Sequence, residues 1–166
     1  MSRSLGVLVS FASLTMAMVT LVPAAAAATK TTTFTVQAQV TADCTVAATT
    51  MNFGSLGLLT ASVDAASTLT ATCTNTTPYS IGLDAGTVSG STIPLRLLDS
   101  AGATVNFQLY QDTGRSSVWG LTAGTDVLSA TGTGAAQVHT VYGRVPAQAA
   151  PAPGTYTTTI NVTVTY

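Results

Sequence analysis

The chain predicts an all-β protein, an immunoglobulin-like sandwich of seven or so short strands. Three observations lead there. Thr and Val, β-branched and stiff at the first side-chain torsion, dominate with Ala and Gly after residue 30. Apolar and polar residues alternate with period two over short runs. Turn signals separate those runs, as they do in sandwiches. No apolar pattern at helical spacing exceeds about two turns, and no repeat of solenoid period occurs.

The first run, Thr33 to Thr41, places Phe34, Val36, Ala38 and Val40 on one parity and Thr35, Gln37, Gln39 and Thr41 on the other. This is a strand with one apolar face. Cys44 and Val46 continue the even parity. Met51 to Leu56, with Gly54 inside, predicts a turn or bulge beside a short strand. Ser67 to Cys73 alternates through Leu69, Ala71 and Cys73, and Tyr79 to Leu83 through Tyr79, Ile81 and Leu83. A Gly/Ser-rich loop follows at 86–92. Leu95 to Leu98, the turn signal Asp99-Ser100-Ala101-Gly102 and Val105, Phe107 and Leu109 predict a hairpin over 95–110. Trp119-Gly120 falls in a connection or a strand start. Gln137 to Val145 is a less regular strand. Pro146 to Pro153 carries three prolines, which lack a ladder donor, and is neither strand interior nor helix. From Gly154 the last strand runs to the final residue, with Tyr156, Thr158, Ile160, Val162, Val164 and Tyr166 on one parity.

The start of the chain sets the compartment. Arg3 precedes an apolar run from Leu5 to Val22, followed by Pro23 and a small-residue stretch, Ala24 to Ala28. Basic start, apolar core and A-x-A site are the parts of a secretory signal peptide, expected over residues 1–28. No later segment approaches the roughly 18–20 apolar residues that span a bilayer. The mature chain is expected to be exported and to form one domain. Its two cysteines, Cys44 and Cys73, then predict a single disulfide.

Charge is scarce: five Lys/Arg, six Asp and no Glu, for a net charge of −1. Such a chain has no electrostatic footprint for nucleic acid or anionic membranes. Little self-repulsion suits a subunit that packs against copies of itself. Catalysis is not expected. His139 is the only imidazole, the six Asp residues (43, 64, 84, 99, 112, 126) are scattered, and no G-x-S-x-G occurs. Neither a metal site nor a cofactor nor a small-molecule substrate is implied, because the Asp residues never approach D-x-D spacing and no Gly-rich segment opens a phosphate loop.

The two ends are unequal. The terminal strand contains neither charge nor Pro between Thr155 and Tyr166, the devices that normally blunt an exposed edge. The N-terminal segment is a strand former with no charge between Thr31 and Ala42. β-Augmentation between molecules satisfies both, by lending the N-terminal segment of one copy to the open edge of another. The alternative is that residues 33–41 are simply the first strand of their own sandwich.

Motifs along nearly the whole mature chain extend this reading. They are A-D-C-T-V (42–46), M-N-F-G (51–54), S-T-L-T-A-T-C-T (67–74), P-Y-S-I-G-L (78–83) and F-Q-L-Y-Q-D (107–112). V-W-G (118–120), V-Y-G-R-V-P (141–146) and the terminal G-T-Y-T-T-T-I-N-V-T-V-T-Y (154–166) follow. In order and spacing the chain resembles the spore coat protein U family, which includes pilins of archaic chaperone–usher pili. The stretch from Leu121 to Ala136 matches poorly and reads as a loop specific to this protein.

The resemblance implies an incomplete immunoglobulin-like sandwich that lacks its last strand and is completed by donor-strand exchange. It implies a donor extension over 29–42, carried by Phe34, Val36, Ala38 and Val40, and a pilin domain over 43–166. In that domain Cys44 and Cys73 form the family disulfide, and Tyr156, Ile160, Val162, Val164 and Tyr166 mark the accepting edge. The implied function is that of a structural fibre subunit at the cell surface, serving adhesion and biofilm formation. Implied partners are copies of itself or related pilins, a periplasmic chaperone and an outer-membrane usher. The alternative is a secreted coat protein with a self-contained sandwich, since the family also holds spore coats.

Overall fold

The computed structural model describes residues 26–166. The chain divides at Ala38/Gln39 into two units, and every strand among the described residues belongs to the second. Residues 26–43 form no strand. The side chains of Phe34, Val36 and Val40 are 86%, 82% and 86% exposed, and Ala38 is exposed as well. The expectation of a strand over 33–41 therefore fails within this one molecule. Alternation marks a segment able to pair, but a strand also needs an edge to pair with.

Eight strands build two antiparallel sheets: β1 (Cys44–Ala48), β2 (Val63–Cys73), β3 (Pro78–Leu83), β4 (Arg96–Ser100), β5 (Ala103–Tyr110), β6 (Leu128–Thr131), β7 (Ala136–Val145) and β8 (Val162–Thr165). The first sheet has the order β1-β2-β7-β5-β4 and the second β6-β3-β8. Among the described residues there is no helix. The two layers form the predicted all-β sandwich, because each sheet has one apolar face to bury.

The period-two patterns select those faces. Leu69, Ala71 and Cys73 of β2, Tyr79, Ile81 and Leu83 of β3, Val105, Phe107 and Leu109 of β5, and Val141 and Val145 of β7 are buried together with Trp119. Burying each large apolar side chain contributes about 1.5–3 kcal/mol. The β4–β5 hairpin turns through Ala101 and Gly102, both at positive φ (51° and 87°). Ser100 pairs with Ala103, so the loop has two residues and needs left-handed backbone at both. Met51 and Phe53 lie packed against the core, Phe53 edge-on to Phe107 at 6.3 Å.

The structure corrects the sequence reading at several elements. β2 begins at Val63, not Ser67, and pairs with β7 from Val63↔Val145 to Thr72↔Ala136. Asp64 is tolerated there because its side chain meets Arg144 directly opposite. No strand accompanies the turn at 51–56; Asn52 accepts the Gly54 N–H and Gly54 sits at φ 77°. The supposed loop 121–136 contains β6, whose Leu128 and Ala130 pack on the core. The last strand is shorter than expected: regular pairing covers only Val162–Thr165, so Tyr156 and Ile160 lie outside it.

Candidate functional site: a groove between two open edges

β1 hydrogen-bonds only to β2, and β8 only to β3. Each therefore presents one unpaired edge among the described residues. The two edges approach at one end, where β8 finishes as β1 begins: the Tyr166 hydroxyl lies 3.3 Å from Asp43 Oδ1. Cys44 from β1, and Tyr156, Ile160, Val162 and Val164 from the C-terminal stretch, rest on the core only half-buried. Val46 of β1 is exposed.

Local structure holds both walls. The predicted disulfide is present, Cys44–Cys73 with S–S 2.06 Å, and ties the start of β1 to the end of β2. Closing a loop between cysteines separated by 29 positions in sequence stabilises the fold by roughly 3–4 kcal/mol in the chain-entropy description. Asp43 accepts the Cys44 N–H at its own Oδ1, while Thr74 N–H donates to the Asp43 carbonyl.

The C-terminal stretch is clasped along one side over its whole length. Thr157 exchanges both backbone hydrogen bonds with Asp99 of β4. The Thr87 N–H donates to Thr159 O, and Asp84 N–H to Asn161 O. Asp84 Oδ1 accepts the Asn161 backbone N–H at 2.9 Å, and its Oδ2 accepts the Asn161 amide at 2.6 Å. Then Val162 pairs with Leu83 and Thr165 with Ser80. The even parity predicted from Tyr156 to Val164 holds, each residue half-buried, although the ladder is irregular. Tyr166 leaves the pattern and is 56% exposed.

Arg96 anchors this wall, and nothing in the apolar run P-L-R-L-L singled it out beyond being a lone charge there. Its side chain is fully buried. Nε donates to Asp84 O at 2.8 Å, and Nη2 to Leu83 O at 2.9 Å and to Trp119 O at 2.7 Å; Nη1 donates to Gln108 Oε1. Burial pulls its pKa down to about 10, against the opposing pull of Asp84 and Asp126, so it stays charged at neutral pH. The guanidinium therefore holds the end of β3 and the residue that grips Asn161. Trp119, in a connection, is fully buried with its indole N–H on Ile81 O.

The other polar side chains make contacts within the fold. His139 Nε2 lies 2.8 Å from the Tyr79 hydroxyl, a bond between the two sheets, and burial lowers the His139 pKa. Asp112 receives the Ser116 and Ser117 N–H groups and closes a turn. Asp64 bonds Arg144 through both oxygens, at 2.7 and 2.9 Å, with Arg115 3.2 Å away. The bond from Arg144 and the nearby Arg115 hold the Asp64 carboxyl below its usual range. Among the described residues no group of three His, Cys, Asp or Glu gathers as a metal site does.

The Spore Coat Protein U domain family model matches residues 30–163. No curated protein matches the chain. A solved structure resembles it in fold, the crystal structure of the CsuC–CsuE chaperone–tip adhesion subunit pre-assembly complex from archaic chaperone–usher Csu pili of Acinetobacter baumannii. The TM-score is 0.57 at 22% identity; the match covers 76% of this chain and 40% of that one. This chain thus spans well under half the length of the one it matches. The predicted signal peptide, residues 1–28, falls almost wholly outside the described residues.

Proposed function

Because this chain belongs to the Spore Coat Protein U domain family, we propose that it is a structural subunit of a chaperone–usher surface fibre, assembled by donor-strand exchange. One observation carries the reading: a row of half-buried apolar residues, Ile160, Val162 and Val164, beside an edge with no partner among the described residues. An exposed, charge-free edge of this kind invites another strand. The strand-free segment with Phe34, Val36, Ala38 and Val40 on one parity supplies one, so residues 29–42 are the donor extension and 43–166 the accepting domain. Ala38 is the small member of that row.

Head-to-tail exchange does not close, so it builds filaments. Before assembly the groove needs a temporary strand, which is the task of a periplasmic chaperone; an usher then exchanges it for the next subunit. The solved pre-assembly complex, in which a chaperone holds a tip subunit of related fold, supports this order of events. The chain travels through the periplasm to the cell surface. It carries no catalytic role, and the fibre serves adhesion and biofilm formation.

The test compares two periplasmically expressed forms. One lacks residues 29–41; the other carries those residues after Tyr166 on a flexible linker. The expected result is a stable monomer only for the fused form, with a cooperative melt. Equal stability of both would sink the reading and favour a self-contained coat protein.

A further inference from the structure

We propose that each joint between subunits is oriented by an ion pair between Lys30 of the incoming segment and Asp43 of the accepting domain; this rests on the donor reading above. Lys30 is the single lysine of the chain and the only charge in the donor segment, at the head of the uncharged run Thr31 to Ala42. The other described cations are engaged: Arg96 is buried, and Arg115 and Arg144 share Asp64. Lys30 is exposed.

The groove offers a matching anion at one end. Asp43 stands where β1 starts and β8 finishes. Its Oδ1 accepts the Cys44 N–H and faces the Tyr166 hydroxyl, while Oδ2 accepts no hydrogen bond among the described residues. Toward the opposite end Asp84 accepts from Gly86 and Asn161 through its two oxygens, and Asp99, beside Thr157, accepts only the Gly102 N–H at 3.4 Å.

Strand direction decides which end Lys30 reaches. Every ladder in the domain is antiparallel, and the C-terminal stretch offers a longer open edge than the five residues of β1. Antiparallel pairing is the more stable per residue, so the incoming segment runs antiparallel to β8. Its N-terminal end then lies beside Tyr166 and Asp43. The lengths agree: twelve uncharged residues, 31–42, extend about 40 Å, and the edge from Thr157 to Tyr166 about 33 Å. An exposed pair of this kind adds little affinity but discriminates orientation and speeds encounter.

Zero-length carbodiimide coupling of assembled fibres, read by peptide mass, tests this, since Lys30 carries the only side-chain amine and coupling through the terminal amine gives a peptide of different mass. The expected product is a Lys30–Asp43 peptide, accompanied by ladders that survive boiling because the link joins different molecules. Lys30→Glu is expected to slow joint formation about tenfold in low salt, with the deficit vanishing in high salt. Lys30→Asp combined with Asp43→Lys restores the rate. Fibres whose Lys30 couples to Asp84 or Asp99, or to no acid, overturn the pairing and leave the donor reading standing. A chain that never forms fibres and is stable without residues 29–41 overturns both.

Discussion

At the residue scale the most consequential side chain is Arg96. It is buried without a carboxylate in contact, and its charge is spread over three backbone carbonyls and the Gln108 amide. Removing it strands those acceptors in a dry site, each at about 1–3 kcal/mol. Arg96→Ala is therefore expected to destabilise the domain by roughly 3 kcal/mol or more in urea unfolding. Arg96→Lys is expected to recover only part of this, since an ammonium lacks the planar fork. A substitution within the margin of a surface change, about 0.5 kcal/mol, would remove Arg96 from this role.

His139 gives the domain a pH dependence with a definite sign. Its pKa is lowered from 6.5 by burial. Between the lowered value and 6.5 the unfolded chain binds more protons than the folded one, so stability rises with pH across that window. The domain is expected to be fully stable above about pH 6.5 and to weaken as pH falls below it. His139→Gln should flatten that part of the profile. Asp64 acts lower: its depressed pKa stabilises the fold above 3.8, and that contribution disappears with further acidification.

At the scale of elements, the groove depends on β1 staying in place. β1 is an edge strand of five residues with one neighbour, and Cys44–Cys73 fastens it at one end. Replacing both cysteines by Ala is expected to lower stability by roughly 3 kcal/mol. Amide exchange should show β1 loosening before β7, which pairs on both sides. Equal protection of the two strands in that variant would show that the disulfide does not secure the wall. Gly143 is a second control point. An added Cβ would collide with Met51 Sδ and the Phe53 ring, which cover β7 there. Gly143→Ala is thus expected to cost about 1–3 kcal/mol by overpacking, read from the melting temperature.

Strands were legible where alternation was strict and both faces had distinct partners. Ser67 to Cys73 and Tyr79 to Leu83 are such cases, as is the hairpin with its Ala101-Gly102 turn. β6 was not legible, because Leu128 and Ala130 sit among Ser, Thr and Gly and owe their place to pairing with β3. The beginning of β2 was hidden by Asp64, whose acceptability depends on Arg144 eighty positions away. Of the groove, the apolar parity from Tyr156 to Val164 was readable. The Asp84–Asn161 clasp and the burial of Arg96 were not, since each exists only between segments distant in sequence.

At the scale of the whole molecule, near-neutral charge and a long open edge belong together. A domain with both should be poorly soluble alone, and filling the edge should relieve this. The form carrying residues 29–41 after Tyr166 is expected to remain monodisperse in light scattering at concentrations where the form lacking them aggregates. Aggregation of both to the same extent would place the sticky surface elsewhere.

The C-terminal stretch touches the two layers in turn, bonding Asp99 of the larger sheet at Thr157 and lying in the smaller sheet from Val162 to Thr165. Tension along it therefore loads both layers together. Antiparallel ladder bonds stand perpendicular to the strand, so such a pull shears them all at once and does not peel them singly. In the fibre proposed above, the breaking load of each domain would then be set by the bonds that must fail simultaneously.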